Sequence, residues 1–167
     1  MTEHFAVLDT PIGELGLLAS QRGLRRVAFA HEIAKLLRDH PGAVHDDTGP
    51  VLSKAITQMQ EYFSGERRQF TVPLDRPAPD TFLTRVHWLI AEIPFGQTIS
   101  YGELAAAAGS PRAARAVGGA CGKNPLPIVV PCHRVLSSDG RIGGYGRGFL
   151  GGLEVKEKLL VLEGVRL

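Results

Sequence analysis

The segment Pro131-Cys-His-Arg134 places three chemically active side chains in direct succession, after the apolar run Ile128-Val-Val130. A lone buried cysteine usually behaves as a small hydrophobic residue. Cationic neighbours, however, favour the thiolate, which is the form of cysteine that attacks electrophiles. His133 and Arg134 are such neighbours, so Cys132 is either a nucleophile or a structural cysteine, and this segment alone leaves both interpretations open.

The elements around this segment must position it. The β-branched run Ile128–Val130 predicts a buried strand that ends at the cysteine. Upstream, Ser100 and Glu103 form a capping box that predicts a helix from Ser100 to Ala107, and the break at Gly109-Ser-Pro predicts a further helix over Pro111–Gly122. Two short helices joined by a turn that contains glycine are typical of a helix-turn-helix.

The second of these helices carries few long side chains. A helix that reads the major groove needs long polar side chains to reach the base edges, and here Arg115 stands among small residues. The pattern fits either close approach to a narrow groove or tight packing inside the protein. Cys121, on the same helix, is expected to be a packed, unreactive thiol. The small residues are Ala113, Ala114, Ala116, Gly118, Gly119 and Ala120.

Four motifs occur in a fixed order and at close spacing. They are Ile99-Ser-Tyr-Gly-Glu-Leu-Ala105, Arg112-Ala-Ala-Arg-Ala-Val-Gly-Gly-Ala120, Asn124-Pro125 and Pro131-Cys-His-Arg-Val135. With them, the chain from about Asp80 to its end resembles the O6-alkylguanine-DNA alkyltransferase family, and its N-terminal half does so more loosely. The resemblance implies DNA repair by irreversible, single-turnover transfer of an alkyl group from O6-alkylguanine, and from O4-alkylthymine, in double-stranded DNA to Cys132.

The resemblance also implies catalytic roles. His133 would act as a base through a water molecule, Glu163 would orient His133, and Tyr101 would donate to guanine N3. Because the lesion must leave the duplex to reach a buried cysteine, base flipping is required, and Arg115 would fill the vacated stack.

The remaining implied roles concern binding. The small residues Ala113, Ala114, Ala116 and Gly118 would lie along the minor groove, and Asn124 would tie the helix-turn-helix to the active-site segment. The backbone carbonyls of Cys132 and Val135 would hold the guanine amine, and the Gly146 amide would hold O6. Pro127 and Tyr145 would line the alkyl pocket.

The residues themselves, rather than the resemblance, predict a lid. Six glycines lie among the ten residues from Gly143 to Gly152, which gives this loop high backbone entropy and little to bury. We expect the loop to act as a lid over the pocket.

The fold class predicted for the chain is α+β. Residues 3–29 read as three short strands, Ile33–Arg38 and Val51–Phe63 as helices, and Gln69–Leu74 as a possible further strand. We expect an N-terminal domain, 1–76, with a small antiparallel β-sheet and helices, which the resemblance makes RNase H-like. A C-terminal domain, 77–167, would be mostly helical, winged helix-turn-helix-like, and would carry Cys132.

Composition excludes several classes of protein. Hydrophobic residues make up 44% of the 167 residues, and no apolar run approaches the roughly 18 residues of a membrane span. Without a secretory signal, and with only two cysteines, the chain suits a reducing cytoplasm, or the nucleoid in a bacterium. The net charge of +2 permits DNA binding without demonstrating it, and we expect a monomer.

Two familiar ligand motifs fail on their context. Gly146–Gly151 matches the dinucleotide-binding pattern, but the chain ends before the acidic residue that this site requires. Cys121, Cys132 and His133 lack the paired spacing of zinc ligands. We therefore expect neither a metal nor a cofactor.

Two other functions remain as alternatives. One is a binding module that holds the lesion without accepting the alkyl group, against which the intact Pro131-Cys-His133 argues. The other is a cysteine hydrolase, which would turn over repeatedly and need an oxyanion hole.

Overall fold

The structure, a computed structural model, describes residues 2–145 and 151–167. The chain forms two compact units, Met1–Arg76 and Pro77–Leu167. Within the described ranges, no helix is long and apolar enough to cross a membrane.

A four-stranded sheet in the order β3-β2-β1-β4 forms the centre of the first unit. The first three strands form an antiparallel meander, and the short fourth strand pairs with β1 in parallel. The elements are β1 (His4–Thr10), β2 (Gly13–Ala19), β3 (Leu24–Phe29), α1 (Ile33–Asp39), β4 (Val44–His45) and α2 (Pro50–Phe63).

The middle strand β2 is buried on both faces. Leu15, Leu17 and Leu18 are 0% exposed, and alternate residues of a strand point to opposite faces. Leu18 packs with Leu36 of α1, while α2 contacts β1, β2 and β3. A strand covered on both faces explains why β2 reads as a nearly continuous apolar run.

The strand predicted at Gln69–Leu74 is wrong. The described residues there form only an isolated bridge to Leu24. Instead, the buried Gln58 of α2 satisfies the backbone: its Oε1 accepts from the N–H groups of Thr71 at 2.9 Å and Val72 at 3.1 Å. Its Nε2 donates to Thr71 Oγ1 at 2.6 Å. A side-chain amide thus supplies the partners that a neighbouring strand would have supplied.

Short helices and a two-stranded parallel sheet make up the second unit. α3 contacts α4 and α5, which contact each other, and β5 pairs with β6. The elements are α3 (Phe82–Ile90), β5 (Ile99–Ser100), α4 (Tyr101–Ala107), α5 (Ala114–Gly122), a 3-10 helix (Cys132–Arg134), β6 (Val135–Leu136) and α6 (Gly152–Leu162). The predicted α+β class is confirmed.

The predicted helix starts are partly confirmed. Ser100 caps α4 by accepting from the Glu103 N–H at 3.0 Å, as the capping box required. α5 begins at Ala114 rather than at Pro111, because the chain first makes a turn in which Ala113 N–H donates to Ser110 O at 2.9 Å.

The strand predicted at Ile128–Val130 is also wrong. Ile128 has a φ of 75°, which is outside the extended region, and Val130 N–H donates to Leu126 O at 2.8 Å. Prolines at 127 and 131 lack the N–H groups that a sheet ladder needs. The run is buried as predicted, with Ile128 and Val130 1% exposed, but it is a compact turn that leads into the 3-10 helix of Cys132.

Gln58→Ala should lower the free energy of unfolding by about 2 kcal/mol, because two backbone N–H groups lose their acceptor. Urea unfolding followed by circular dichroism measures this loss. Gln60→Ala, at an exposed position of the same helix, is the matched control and should change stability by less than about 0.5 kcal/mol. Equal effects of the two substitutions would contradict the tethering role of Gln58.

Candidate active site

Cys132 lies in the wall of a cavity of about 490 Å³ in the second unit. The cysteine opens the 3-10 helix and is 5% exposed. The lining residues come from α4, α5, the 3-10 helix and the segment after β6. They are Tyr101, Gly118, Gly119, Cys121, Gly122, Lys123, Cys132, Ser137, Gly143, Gly144 and Tyr145.

The Cys132 sulfur is a thiol at rest. Burial raises the pKa of this thiol, although hydrogen bonds from the side chains of Asn124 and Tyr145 and the charge of Lys156 act to lower it. The expectation that Arg134 favours the thiolate is wrong, because its guanidinium binds Glu163 instead. Removal of the thiol proton is therefore part of any reaction at this sulfur.

His133 and Glu163 form a buried pair. His133 Nε2 lies 2.7 Å from Glu163 Oε2, and both side chains are 0% exposed. An ionised carboxylate only accepts hydrogen bonds, so Nε2 carries the proton and Nδ1 carries the lone pair of the neutral ring. Burial lowers the pKa of His133, which favours this neutral form. Nδ1 is buried without a hydrogen-bond partner among the described residues.

Arg134 is a member of this site that the sequence analysis did not assign. Its Nε donates to Glu163 Oε1 at 2.7 Å, and its Nη2 donates to Oε2 at 2.9 Å. Its Nη1 donates to the Ile93 carbonyl at 2.6 Å. The signal in the sequence is its place directly after His133, but that position alone predicts an effect on the cysteine and not on a distant carboxylate.

Lys156 was also missed, because an isolated lysine on a helix usually faces solvent. It is 0% exposed, and its Nζ donates to the carbonyls of Val135 at 2.7 Å and Gly144 at 3.0 Å. The Tyr101 hydroxyl lies 3.5 Å from Nζ. Burial lowers the pKa of Lys156 to about 8 and raises the pKa of Tyr101 to about 12. Tyr101 therefore keeps its proton at neutral pH.

Asn124 links the end of α5 to the segment before Cys132. Its Nδ2 donates to the Val130 carbonyl at 2.7 Å, and its Oδ1 accepts from Leu126 N–H at 3.0 Å. These two bonds hold the compact turn that replaces the predicted strand. The contacts fit the structural role expected of Asn124.

α5 has one buried face and one open face. Val117 and Ala120 are 0% and 3% exposed, whereas Arg115 and Ala116 are exposed and Ala113, Ala114 and Gly118 are partly so. A Cβ added to Gly118 or Gly119 would meet no atom within 4 Å. Packing within the protein therefore does not require these glycines.

The other predicted site residues are distributed as follows. Tyr145 lines the cavity with Cys132, while the buried Pro127 and Val135 are not among the lining residues. Cys121 lies in the cavity wall rather than in a packed interior, and burial raises the pKa of its thiol to about 12. Gly146, and with it the centre of the predicted lid, lies outside the described residues.

Lys156 should make folding stability depend on pH. Its pKa in the folded chain, about 8, is below the ordinary 10.5. Between these values the unfolded chain binds more protons, so stability rises as the pH rises through this window. We expect wild type to gain on the order of 2 kcal/mol relative to Lys156→Met between about pH 7.5 and 9.5.

Urea unfolding at the two pH values measures this difference. Lys158→Met, at an exposed position of the same helix, should keep the wild-type pH dependence. Parallel behaviour of wild type and Lys156→Met would contradict the burial of the ammonium group.

Comparison with known proteins extends over both units. Residues 81–165 match the family model described as 6-O-methylguanine DNA methyltransferase, DNA binding domain, and residues 4–76 match its ribonuclease-like domain. The chain is 41% identical to the methylated-DNA–protein-cysteine methyltransferase of Mycobacterium tuberculosis, over 96% of this chain and 92% of that one. It is 37% identical to that of Methanosarcina acetivorans, over 96% and 98%.

A solved structure agrees with these matches. The crystal structure of Mycobacterium tuberculosis OGT in complex with DNA has a TM-score of 0.82 and 39% sequence identity, and the match covers 98% of this chain and 92% of that one. The family, the enzyme class and the function in DNA repair that the motifs predicted are confirmed. The chain belongs to the 6-O-methylguanine DNA methyltransferase family.

Proposed function

We propose that Cys132 accepts the alkyl group of O6-alkylguanine, and of O4-alkylthymine, from double-stranded DNA in a single irreversible turnover. The observation that carries this proposal is a buried thiol in the wall of a cavity, followed directly by a histidine held 2.7 Å from a buried carboxylate. The sulfur bonds to the alkyl carbon as the bond from that carbon to guanine O6 breaks. A proton acceptor removes the thiol proton, and guanine is protonated as it leaves.

His133 is the proposed base, acting through a water molecule. Its lone pair is at Nδ1, because Nε2 donates to Glu163. The lowered pKa of His133 keeps the ring neutral and able to accept the thiol proton. Glu163 orients the ring and stabilises the imidazolium that forms, as the carboxylate does in a nucleophile-histidine-acid triad.

Tyr101 is the proposed donor to guanine N3. Its hydroxyl lines the cavity and stays protonated at neutral pH, since burial raises its pKa to about 12. Lys156 lies beside it and donates to the backbone carbonyls of Val135 and Gly144, of which Gly144 lines the cavity. A hydrogen bond at N3 stabilises the negative charge that develops on the leaving base.

The proposed substrate pocket is the cavity beside Cys132. Tyr145, which lines it, borders the alkyl group, and Pro127 is a proposed second neighbour that is not among the lining residues. The carbonyls of Cys132 and Val135 hold the guanine amine, whereas Gly146, which the resemblance assigns to O6, lies outside the described residues. The Val135 carbonyl already accepts from Lys156, and the second lone pair of this oxygen is the one that would receive the guanine amine.

The open face of α5 is the proposed DNA surface. Its small residues Ala113, Ala114, Ala116 and Gly118 let the helix approach a narrow minor groove closely. Arg115 replaces the extruded base in the stack, and Asn124 couples this helix to the active-site segment. The open space around Gly118 supports this interpretation over tight internal packing. The protein is proposed to act as a monomer, and its cytoplasmic location stays a prediction.

Cys132→Ser should abolish alkyl transfer and leave DNA binding intact, because a hydroxyl is a far weaker nucleophile than a thiolate. Intact-protein mass after incubation with excess O6-methylguanine DNA is the measurement. Wild type should gain one methyl group on Cys132, and Cys121→Ser, the matched control, should behave as wild type. A methyl group on Cys121 would contradict the assignment, no transfer would indicate a binding module, and many turnovers would indicate a hydrolase.

Arg115→Ala should slow repair of duplex DNA by about 10-fold or more and leave reaction with free O6-alkylguanine base nearly unchanged. The reason is that unstacking costs a few kcal/mol, and only the duplex substrate bears this cost. Single-turnover rates on the two substrates separate the effects. Equal losses on both would show that Arg115 supports the fold or the pocket instead.

A further inference from the structure

The Glu163 carboxylate has more partners than a triad requires. Besides His133 Nε2, it accepts hydrogen bonds from Arg134 Nε on Oε1 and from Arg134 Nη2 on Oε2. The Gly96 N–H donates to Oε1 at 3.1 Å. Two parallel N–H bonds from a guanidinium to a carboxylate form the strongest and most directional ion-pair geometry that side chains offer. The carboxylate plane is therefore set by Arg134, and His133 binds to one edge of it.

Arg134 is itself held by the turn that follows α3. Its third donor, Nη1, reaches the Ile93 carbonyl at 2.6 Å, and its guanidinium carbon lies 5.8 Å from the centre of the Phe95 ring. The side chain of Arg134 is 8% exposed and that of Glu163 is 0% exposed. This burial and these contacts leave the guanidinium one orientation, which is the orientation that grips Glu163.

We propose that Arg134 is a positioning residue for alkyl transfer, because its bidentate grip on Glu163 shares the carboxylate charge and leaves His133 as a neutral base. This inference rests on the proposed function, in which His133 takes the thiol proton. Arg134 acts through Glu163 and is not among the residues that line the cavity.

The charges around His133 explain why this sharing matters. A buried carboxylate whose partner is an imidazole favours the imidazolium, which cannot accept a proton from Cys132. Burial is the largest influence and lowers the pKa of His133. The hydrogen bond and charge of Glu163 raise it, the positive charges of Arg134 and Lys156 lower it further, and the net shift is downward. Cys132 and Tyr101 are uncharged at rest. Arg134 is the positive group that neutralises Glu163 directly. The carboxylate therefore does not require a protonated, positively charged His133.

The test follows the ring nitrogens of His133 by NMR during a pH titration of the full chain. In wild type, we expect His133 to stay neutral at pH 7, with the proton on Nε2. In Arg134→Met, the pKa of His133 should rise by about one unit or more, since the carboxylate then loses the positive charge of its guanidinium partner and its own charge acts more strongly on the histidine. Arg134→Lys keeps the positive charge but loses the bidentate hydrogen bonding of the guanidinium. In this variant, the pKa of His133 should lie between its values in wild type and in Arg134→Met.

The rate of transfer from free O6-benzylguanine gives a second measurement that does not depend on DNA. The acidic limb of its pH profile should move upward with the His133 pKa, so that Arg134→Met reacts at least about 5-fold more slowly at the wild-type midpoint. Arg85→Met is the matched control, because Arg85 is an exposed arginine of the same unit that also lies over an aromatic ring. Its His133 titration and its pH profile should both equal those of wild type.

Three outcomes would overturn the inference. One is an imidazolium at His133 in wild type at pH 7, which needs no variant and therefore does not depend on whether a variant folds. Another is a folded Arg134→Met whose His133 titrates as in wild type. The third is an unmoved acidic limb. In each of these outcomes, wild type would still gain the mass of one methyl group on Cys132. Failure of this inference is therefore distinguishable from failure of the proposed function.

Discussion

The buried carboxylate of Glu163 joins three segments of the second unit. A carboxylate removed from water costs several kcal/mol unless hydrogen bonds and an opposite charge compensate it. The compensating donors come from the turn after α3, through Gly96, and from the 3-10 helix, through His133 and Arg134. The acceptor itself follows the last residue of α6. These three segments must therefore pack together for the charge to be buried. Their packing brings Glu163 to His133, beside Cys132.

Lys156 is a second buried charged group, next to Tyr101 and Gly144 of the cavity lining. Its buried ammonium is bound by carbonyl oxygens at the start of β6 and just before Tyr145. Without a carboxylate among these partners, the lysine keeps part of its desolvation cost, which is why its pKa falls to about 8. Among the residues that line the cavity, Tyr101, Cys121 and Cys132 are thus neutral at neutral pH, because burial raises their pKa values. Under the proposed function, the thiol in such a cavity stays protonated until a base removes its proton.

α5 connects this chemistry to an outer surface. Its buried residues anchor it to the unit, and its last turn reaches the cavity through Cys121 and Gly122. Asn124 then fastens the following turn to the segment before Cys132. A helix that is open along one face and tied to the nucleophile at its end suits the proposed transfer of a base from DNA into the cavity. The glycines on its open face keep the backbone accessible at a cost in helix propensity.

Local sequence determined much of this protein. The capping box at Ser100, the helical periodicities and the order of the motifs predicted the helices around the site, the α+β class and the family. These features act over a few residues, through caps, breakers and spacing, and need no distant partner. The identities of Cys132, His133 and Glu163 as candidates came from the same motifs.

Only the tertiary structure decided where the charges act. Ile128–Val130 and Gln69–Leu74 have the composition of strands. The prolines beside the first lack the N–H groups that a sheet ladder needs, and the side-chain amide of Gln58 supplies other partners to the backbone of the second. Arg134 looked like a neighbour of the thiol, and yet it binds a carboxylate 29 residues away. Lys156 looked like a surface residue of α6, and it is buried against carbonyls that the sequence places far from it. For Gln69–Leu74, Arg134 and Lys156, the stability of the observed arrangement depends on which group from elsewhere in the chain reaches the residue, and local sequence does not specify that group.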